Sequence, residues 1–238
     1  MDPANNIEQQ TLAVISKAGR FNRWMYDTVS PYCHGRILEI GSGIGNISSF
    51  FVRDNFDITL SDIGDDYLEQ LRDKFDNITN VRSILRLDLQ QDNFHDAYQE
   101  IENFFDTIFL LNVLEHIGDD ERAILNCKIL LKKGGTLIVL VPAHPWLYAR
   151  LDKELHHHRR YSLQQLKTLF NKTGLTVKKQ FYFNASGIFA WMYAKILGLS
   201  VVPQREMNGY DKIVPAAKVF DKISFGKIGL SAIIVGEK

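Results

Sequence analysis

The chain has 238 residues, of which 45% are hydrophobic and 24% charged, a composition that can bury the core of one α/β domain. Lys and Arg number 28 together, as do Asp and Glu, so no overall charge attracts the chain to nucleic acid. Cys33 and Cys127 lie far apart without metal-ligand spacing, and residues 1–30 lack the apolar core of a signal peptide. These features predict a reduced, cytoplasmic protein without a nucleic-acid partner.

Helical and strand patterns follow one another along the chain. Apolar positions between residues 7 and 29 predict one or two helices, so we expect residues 1–34 to form an N-terminal helical cap. Downstream, short apolar runs alternate with helical patterns, which favours a doubly wound parallel sheet with helices on both faces. The predicted strands are 37–40, 58–60, 84–87, 107–111 and 136–141, and the predicted helices are 44–54, 65–75, 95–103 and 119–131.

The C-terminal part departs from this alternation. A helix is predicted at 162–173, followed by strands at 181–183 and 230–235. Residues 184–228, between these strands, are rich in apolar and aromatic side chains, and a segment of that length usually has structure of its own. We therefore predict a single domain over residues 1–238 with a helical insertion before the last strand.

A glycine-rich loop follows the first predicted strand. Gly41, Gly43 and Gly45 alternate with other residues, and glycine tolerates positive φ and lets the backbone approach a ligand closely. The helix that follows offers unpaired N–H groups at its N-terminus. Asp62 lies 21 positions after Gly41, behind the second predicted strand. At that spacing a carboxylate can take the ribose hydroxyls of a nucleotide-like cofactor.

Two further residues narrow the choice of cofactor. Asn46 follows the third glycine, so the G-x-G-x-x-G pattern of nicotinamide and flavin folds is absent. Glu39, inside the predicted strand, would repel a pyrophosphate but attract an ammonium group. S-adenosylmethionine fits both observations, because it carries a cation, an amino acid and a ribose but no phosphate.

On these residues the chain resembles the class I S-adenosylmethionine-dependent methyltransferases. The similarity runs in order and spacing through about residues 30–142, and it includes the segments 38–45, 88–89, 105–117 and 130–137 as well as Asp62. It implies a Rossmann-like fold with seven mostly parallel strands, the last of them antiparallel. It also implies S-adenosylmethionine as the methyl donor and S-adenosylhomocysteine as the product.

The resemblance assigns residues to each part of the cofactor. The glycine loop would pass under the methionine, with Glu39 near its ammonium. Asp62 would hold the ribose hydroxyls, and Asp88 would accept from the adenine amino group. The residues expected to bind the cofactor are Glu39, Gly41, Ser42, Gly43, Gly45, Asp62, Ile63, Asp88, Leu89, Asn112, Val113 and His116. A salt-bridging Glu39, a turn-forming Asp88 and a packing His116 are the alternative roles.

Histidines beyond the fifth predicted strand are candidates for the acceptor site. Ligands of doubly wound sheets bind outside the carboxyl ends of the strands, where this segment falls. The sulfonium is already an activated leaving group, so the enzyme chiefly positions the nucleophile and removes its proton. His144, His157 and His158 are the predicted proton acceptors, because imidazole titrates near neutral pH. Consecutive histidines cannot all face one ion, so no metal site is predicted.

The sequence leaves the acceptor open. We predict transfer to oxygen or nitrogen of a small molecule, and a looser similarity to a bacterial small-molecule branch of the family admits a lipid- or sugar-linked acceptor. Arg159 and Arg160 could bind an anionic group of the acceptor, with a solvated basic loop as the alternative. A non-catalytic sensor or scaffold that binds S-adenosylmethionine, and a nicotinamide oxidoreductase, are the competing functions.

Residues 185–202 form an apolar stretch with a single charge, Lys195. Its glycine and serine residues argue against a membrane span. We expect a helix that packs over the acceptor pocket or in a dimer interface, and peripheral membrane contact is the less favoured role. The protein is accordingly expected to be a monomer or a homodimer.

Overall fold

A seven-stranded sheet forms the centre of the protein. The computed structural model describes residues 3–238, without the side chains of residues 3–6 and 8, so residues 1 and 2 of the expected N-terminal cap lie outside the described residues. The strands are β1 (Ile37–Ile40), β2 (Ile58–Asp62), β3 (Val81–Arg86), β4 (Phe105–Leu111), β5 (Leu131–Pro142), β6 (Thr176–Phe183) and β7 (Ser231–Glu237). Their order across the sheet is β3-β2-β1-β4-β5-β7-β6.

The strand directions confirm the predicted fold class. Strands β1 to β5 pair in parallel, whereas β7 runs antiparallel to both of its neighbours, β5 and β6. Parallel neighbours need a crossover connection, which explains why a helix follows nearly every strand. The sheet is therefore the doubly wound, mostly parallel sheet with an antiparallel last strand that the sequence led us to expect.

Helices cover both faces of this sheet. They are α1 (Pro3–Ser16), α2 (Gly19–Val29), α3 (Ser48–Arg53), α4 (Asp65–Phe75), α5 (Phe94–Ala97), α6 (Asp120–Leu130), α7 (Arg150–Glu154), α8 (Leu163–Lys172), α9 (Gly187–Ile196) and α10 (Gln204–Ser224). Helix α5 is shorter than the helix predicted at 95–103, because the chain tightens into a 3₁₀ turn at Gln99–Ile101. Along the chain, helices α9 and α10 connect β6 to β7.

The edge strands extend beyond their predicted limits. β6 begins at Thr176 and β3 at Val81, each ahead of the apolar run on which the prediction relied. Both strands pair on one side only, and edge strands commonly carry charged side chains such as Lys178. Apolar patterning therefore marks only part of each edge strand.

Apolar side chains from alternate strand positions fill two cores, one on each face of the sheet. In β4, Ile108 and Leu110 belong to one core, whereas Phe109 belongs to the other. Phe51 of α3 stacks on Phe109 with the ring centroids 4.9 Å apart. Burial on both faces is what a parallel sheet requires, and it accounts for the continuous apolar runs of the central strands.

Helices α2 and α10 cover one of these two faces. Trp24 of α2 contacts Phe183 at the end of β6, with centroids 4.6 Å apart. The backbone N–H of Phe21 donates to the Asp211 carboxylate of α10 over 2.9 Å, which fastens the two helices to each other. Within residues 3–238, no helix combines the length and the hydrophobicity that a bilayer crossing demands.

Candidate active site

A cavity of about 440 Å³ opens at the carboxyl ends of the parallel strands. Its walls come from the segments after β1 to β6, from the start of β7, and from helices α1, α2 and α9. Eleven of the twelve expected cofactor residues line it, namely Glu39, Gly41, Ser42, Gly43, Asp62, Ile63, Asp88, Leu89, Asn112, Val113 and His116. The fold thus gathers in one place residues that four separate loops supply.

The glycine loop is held by the backbone of β2. The N–H groups of Gly41 and Ser42 both donate to the carbonyl of Ser61 over 2.9 Å. Gly41 has a φ of +74°, and a Cβ built on it would lie 2.4 Å from Cγ2 of Val113. Only glycine fits this position without displacing the neighbouring loop.

Gly45, the expected cofactor residue that does not line the cavity, packs instead against α4. A Cβ at Gly45 would lie 2.5 Å from Cε2 of Phe75, and its φ is +73°. Its backbone N–H donates to the carbonyl of Ser42 over 2.9 Å, which closes the turn. Gly45 therefore lies on the side of the loop away from the cavity, where it closes the turn.

Two buried carboxyl groups stand at the ends of β1 and β2. Burial raises the pKa of Glu39 to about 8, although hydrogen bonds from the hydroxyls of Ser48 and Ser42 oppose the rise. Burial also raises the pKa of Asp62, against the opposing N–H groups of Gly64 and Gly43. Those N–H groups donate to the two Asp62 oxygens over 3.0 and 2.8 Å. Asp62 thus couples the glycine loop to the end of β2.

Asp88 and Asn112, which the resemblance assigns to the adenine and to the pocket near the sulfonium, lie after the next two strands. Asp88 follows β3, and its Oδ1 accepts from the backbone N–H of Gln90 over 2.8 Å, so it also forms the turn that was the alternative to a binding role. Asn112 follows β4 in the left-handed region, with a φ of +56°. Asparagine tolerates that conformation better than most residues, and backbone outliers of this kind concentrate at binding sites.

Of the three histidines predicted as proton acceptors, His157 alone lines the cavity. The His144 ring stacks on Tyr182 with centroids 4.7 Å apart, and its Nε2 lies 3.0 Å from the carbonyl of Gly229. His158 is exposed, and its backbone N–H donates to the carbonyl of Glu115 over 2.8 Å. The side chains of His144, His157 and His158 thus have different surroundings, which the residue types alone do not reveal.

His157 belongs to a buried ionic network. Its Nδ1 lies 2.9 Å from Oδ1 of Asp152, and the same oxygen accepts from Nε of Arg160 over 2.8 Å. The Arg160 guanidinium also donates to the carbonyl of Ala143 over 3.1 Å and lies 4.1 Å from the ring centroid of Trp191. Asp152 is fully buried, so its charge depends on these partners.

Both arginines of this segment have carboxylate partners. Buried Arg160 pairs with Asp152, and half-buried Arg159 donates to the Asp120 carboxylate over 2.8 Å. His156 and His158 are exposed, so the segment is buried at His157 and Arg160 and solvated in between.

Asp152 escaped the sequence reasoning, whereas Glu115 was noticed only as part of the Glu-His pair and was not among the expected site residues. Asp152 precedes His157 on the short helix α7, and nothing in the local pattern distinguishes it from a surface acid. Glu115 is fully buried beside His116, and burial raises its pKa to about 8. Burial, together with the neighbouring His157, lowers the pKa of His116 to about 4, so that ring is neutral near pH 7. The adjacent residues Glu115 and His116 after β4 were the signal that the sequence offered for this part of the site.

The residues around the glycine loop suit S-adenosylmethionine, which when bound presents a methyl group on a positively charged sulfur. A buried carboxyl with a raised pKa, such as Glu39, regains its charge most readily beside a cation. The tight turn at Gly41 brings backbone rather than side chains to the cavity wall. Fold and site together define a class I S-adenosylmethionine-dependent methyltransferase.

The chain belongs to a methyltransferase domain family, whose model matches residues 19–180. It is 28% identical over 138 residues to the ubiquinone biosynthesis O-methyltransferase of Xanthomonas campestris pv. campestris (strain B100), a match that covers 53% of this chain and 56% of that protein. The chain thus matches about half the length of this curated relative.

Solved structures share the fold across nearly the whole chain. A methyltransferase from Archaeoglobus fulgidus aligns with a TM-score of 0.59 at 14% identity, covering 91% of this chain and 94% of that one. A protein from Galdieria sulphuraria described as a sarcosine dimethylglycine methyltransferase aligns with a TM-score of 0.62 at 15% identity, covering 92% and 85%. The likeness to these structures shows the methyltransferase fold, and the family match shows that residues 19–180 belong to a methyltransferase domain.

Proposed function

We propose that the enzyme methylates a hydroxyl oxygen of a small, largely apolar acceptor that is activated at His157; a nitrogen acceptor is the second case that the test covers. The observation that carries the proposal is the buried pair of Asp152 and His157 in the wall of the cofactor cavity. In this proposal the twelve residues expected from the sequence hold the cofactor, with Gly45 acting through the shape of the loop.

The chemistry explains why a histidine is needed. The acceptor oxygen takes the methyl group from sulfur, and its O–H bond must break so that the product is neutral. The carboxylate of Asp152 can only accept from Nδ1–H of His157, which leaves Nε2 with its lone pair available to the acceptor. Asp152 is in this view a positioning residue for the imidazole.

The lining of the cavity indicates the acceptor class. Apolar side chains from α1, α2 and α9 and from the segment after α7 line the cavity, among them Ile15, Met25, Leu155 and Trp191. Because Arg159 and Arg160 are already paired with carboxylates, the site favours a neutral, partly apolar acceptor over an anionic one. The name of the Xanthomonas relative, an O-methyltransferase, agrees with oxygen as the atom methylated.

The proposal is tested with S-adenosylmethionine labelled in its methyl group and a panel of phenols, aliphatic alcohols and amines. With an accepted compound, His157→Ala should lower kcat about 100-fold or more, the usual range for loss of a general base, while cofactor affinity measured by calorimetry stays within twofold. His158→Ala is the matched comparison, because that side chain lies next in sequence but outside the cavity. Full turnover by the His157 variant would refute the role of His157. Exclusive methylation of amines would refute oxygen as the atom methylated.

A further inference from the structure

We propose that Glu115, His116 and His157 bind one divalent transition-metal cation, which in turn binds and activates the acceptor oxygen. This inference rests on the proposed methylation of oxygen at this site, and it replaces the role of His157 as proton acceptor with that of a metal ligand. The carboxylate oxygen and the two imidazole nitrogens lie within 4.8 Å of one another, and all three residues line the cofactor cavity. It departs from the expectation from sequence that no metal binds.

Glu115 is the first reason for a cation. Its side chain is fully buried, and neither carboxylate oxygen accepts a hydrogen bond from another residue between 3 and 238. Buried carboxylates are ordinarily paired with a donor or a metal, since desolvation without a partner is costly. A cation within the cavity would provide that partner.

The surroundings of His157 supply the second reason. Metal-binding histidines commonly donate their other ring N–H to a carboxylate, which fixes the tautomer and aims the free nitrogen at the metal. Asp152 meets Nδ1 of His157 in this way over 2.9 Å. The His116 and His157 rings stand perpendicular with centroids 4.7 Å apart, so two nitrogens converge from two chain segments.

The local charge also admits a cation. Arg160 is the nearby positive group, but the fully buried Asp152 is ion-paired with it over 2.8 Å. Because Asp152 offsets the charge of Arg160, that arginine does not exclude a cation from the space among Glu115, His116 and His157.

The ligand set indicates the kind of metal. Two imidazoles and one carboxylate are typical of zinc and of non-haem iron, whereas magnesium and calcium prefer oxygen ligands throughout. Metal–ligand bonds of about 2.1 Å place tetrahedral ligand atoms about 3.4 Å apart, so atoms that now lie up to 4.8 Å apart must approach by at most about 1.4 Å. Three protein ligands leave a position open for the acceptor oxygen.

The reaction balances without a further reactant. A hydroxyl bound to the metal loses its proton to water more readily than a free one, its oxygen takes the methyl group, and the sulfur becomes a neutral thioether. His157 then serves as a ligand and not as the proton acceptor. His157→Ala should lose turnover whether His157 is a proton acceptor or a metal ligand. The metal site is therefore tested by measuring metal binding.

The experiment uses the full chain with any affinity tag removed and metals stripped by a chelator. Zn²⁺ and Mn²⁺ are titrated by calorimetry, and Co²⁺ is followed through its visible absorption bands. We expect one equivalent bound by the wild type, and affinity at least tenfold weaker in Glu115→Gln and in His116→Asn. His34→Ala, which changes an exposed histidine away from the cavity, is the control.

Circular dichroism and urea unfolding show whether each variant is folded. If one of the two ligand variants is not, the other still tests the site. Absence of stoichiometric binding, or equal affinity in the wild type and both folded ligand variants, would overturn the site. Turnover that survives chelation unchanged would overturn its activating role. If no metal binds but His157→Ala is inactive, the proposed function stands and this inference falls.

Discussion

The buried carboxyl of Glu39 predicts an unusual dependence of stability on pH. Its pKa is raised from the ordinary 4.5 to about 8 because burial disfavours the charged form. Between these two values the folded protein holds one proton that the unfolded chain has released. The stability that this group contributes is therefore complete below pH 4.5 and is lost as the pH rises toward 8.

The magnitude follows from the same shift. One proton of difference changes the free energy of unfolding by about 1.4 kcal/mol per pH unit, so the wild type should lose about 2–3 kcal/mol between about pH 5 and pH 7 through this group. Glu39→Gln removes the titrating proton but keeps an oxygen that can accept from the hydroxyl of Ser48. Relative to this variant, the wild type should lose stability steadily over that interval.

The assay is urea unfolding of both proteins at several pH values between about 5 and 8, with the difference in free energy plotted against pH. Glu69→Gln, at an exposed position of α4, is a matched exchange of carboxyl for amide and should parallel the wild type. Saturating S-adenosylmethionine should flatten the slope, because an ammonium beside Glu39 favours its charged form. A difference between wild type and Glu39→Gln that does not change with pH would refute the reasoning.

Two further substitutions test the cofactor loop. Gly41→Ala places a Cβ 2.4 Å from Cγ2 of Val113 at a φ of +74°, and it should cost about 1–3 kcal/mol in urea unfolding, whereas Gly209→Ala, with open space around it, should not destabilise the protein. Asp62→Asn removes a charged acceptor and should weaken S-adenosylmethionine binding about 10–100-fold by calorimetry. Asp66→Asn on an exposed part of α4 is its control, and equal affinity in the two variants would contradict the ribose assignment.

Local patterns were sufficient for the fold and for the cofactor loop. The central strands are buried on both faces, so they appear in the sequence as uninterrupted apolar runs. Alternate glycines before a helix, with Asp62 one strand further on, report a geometry that short-range backbone constraints impose. Edge strand β6 was predicted only in part, because a strand paired on one side needs no such run.

The acceptor side of the cavity could not be predicted in the same way. His144, His157 and His158 are the same residue type in one stretch of the sequence. Of these three, His157 is the one that lines the cavity. Its orientation depends on the buried Asp152 of the short helix α7, and the fold also brings His157 within 4.8 Å of Glu115 from the loop after β4. Such proximity between separate segments depends on long-range packing, which spacing along the chain does not encode.

By itself, then, the sequence determined the sheet, the glycine loop and the cofactor class, because these follow from periodicity and from backbone conformations that few residues allow. The tertiary structure alone decided which histidine lines the cavity and which charges are paired, and that a buried carboxylate lies beside two imidazoles. The physical reason is that burial and ion pairing are properties of surroundings, and distant segments of the chain supply those surroundings only once it has folded.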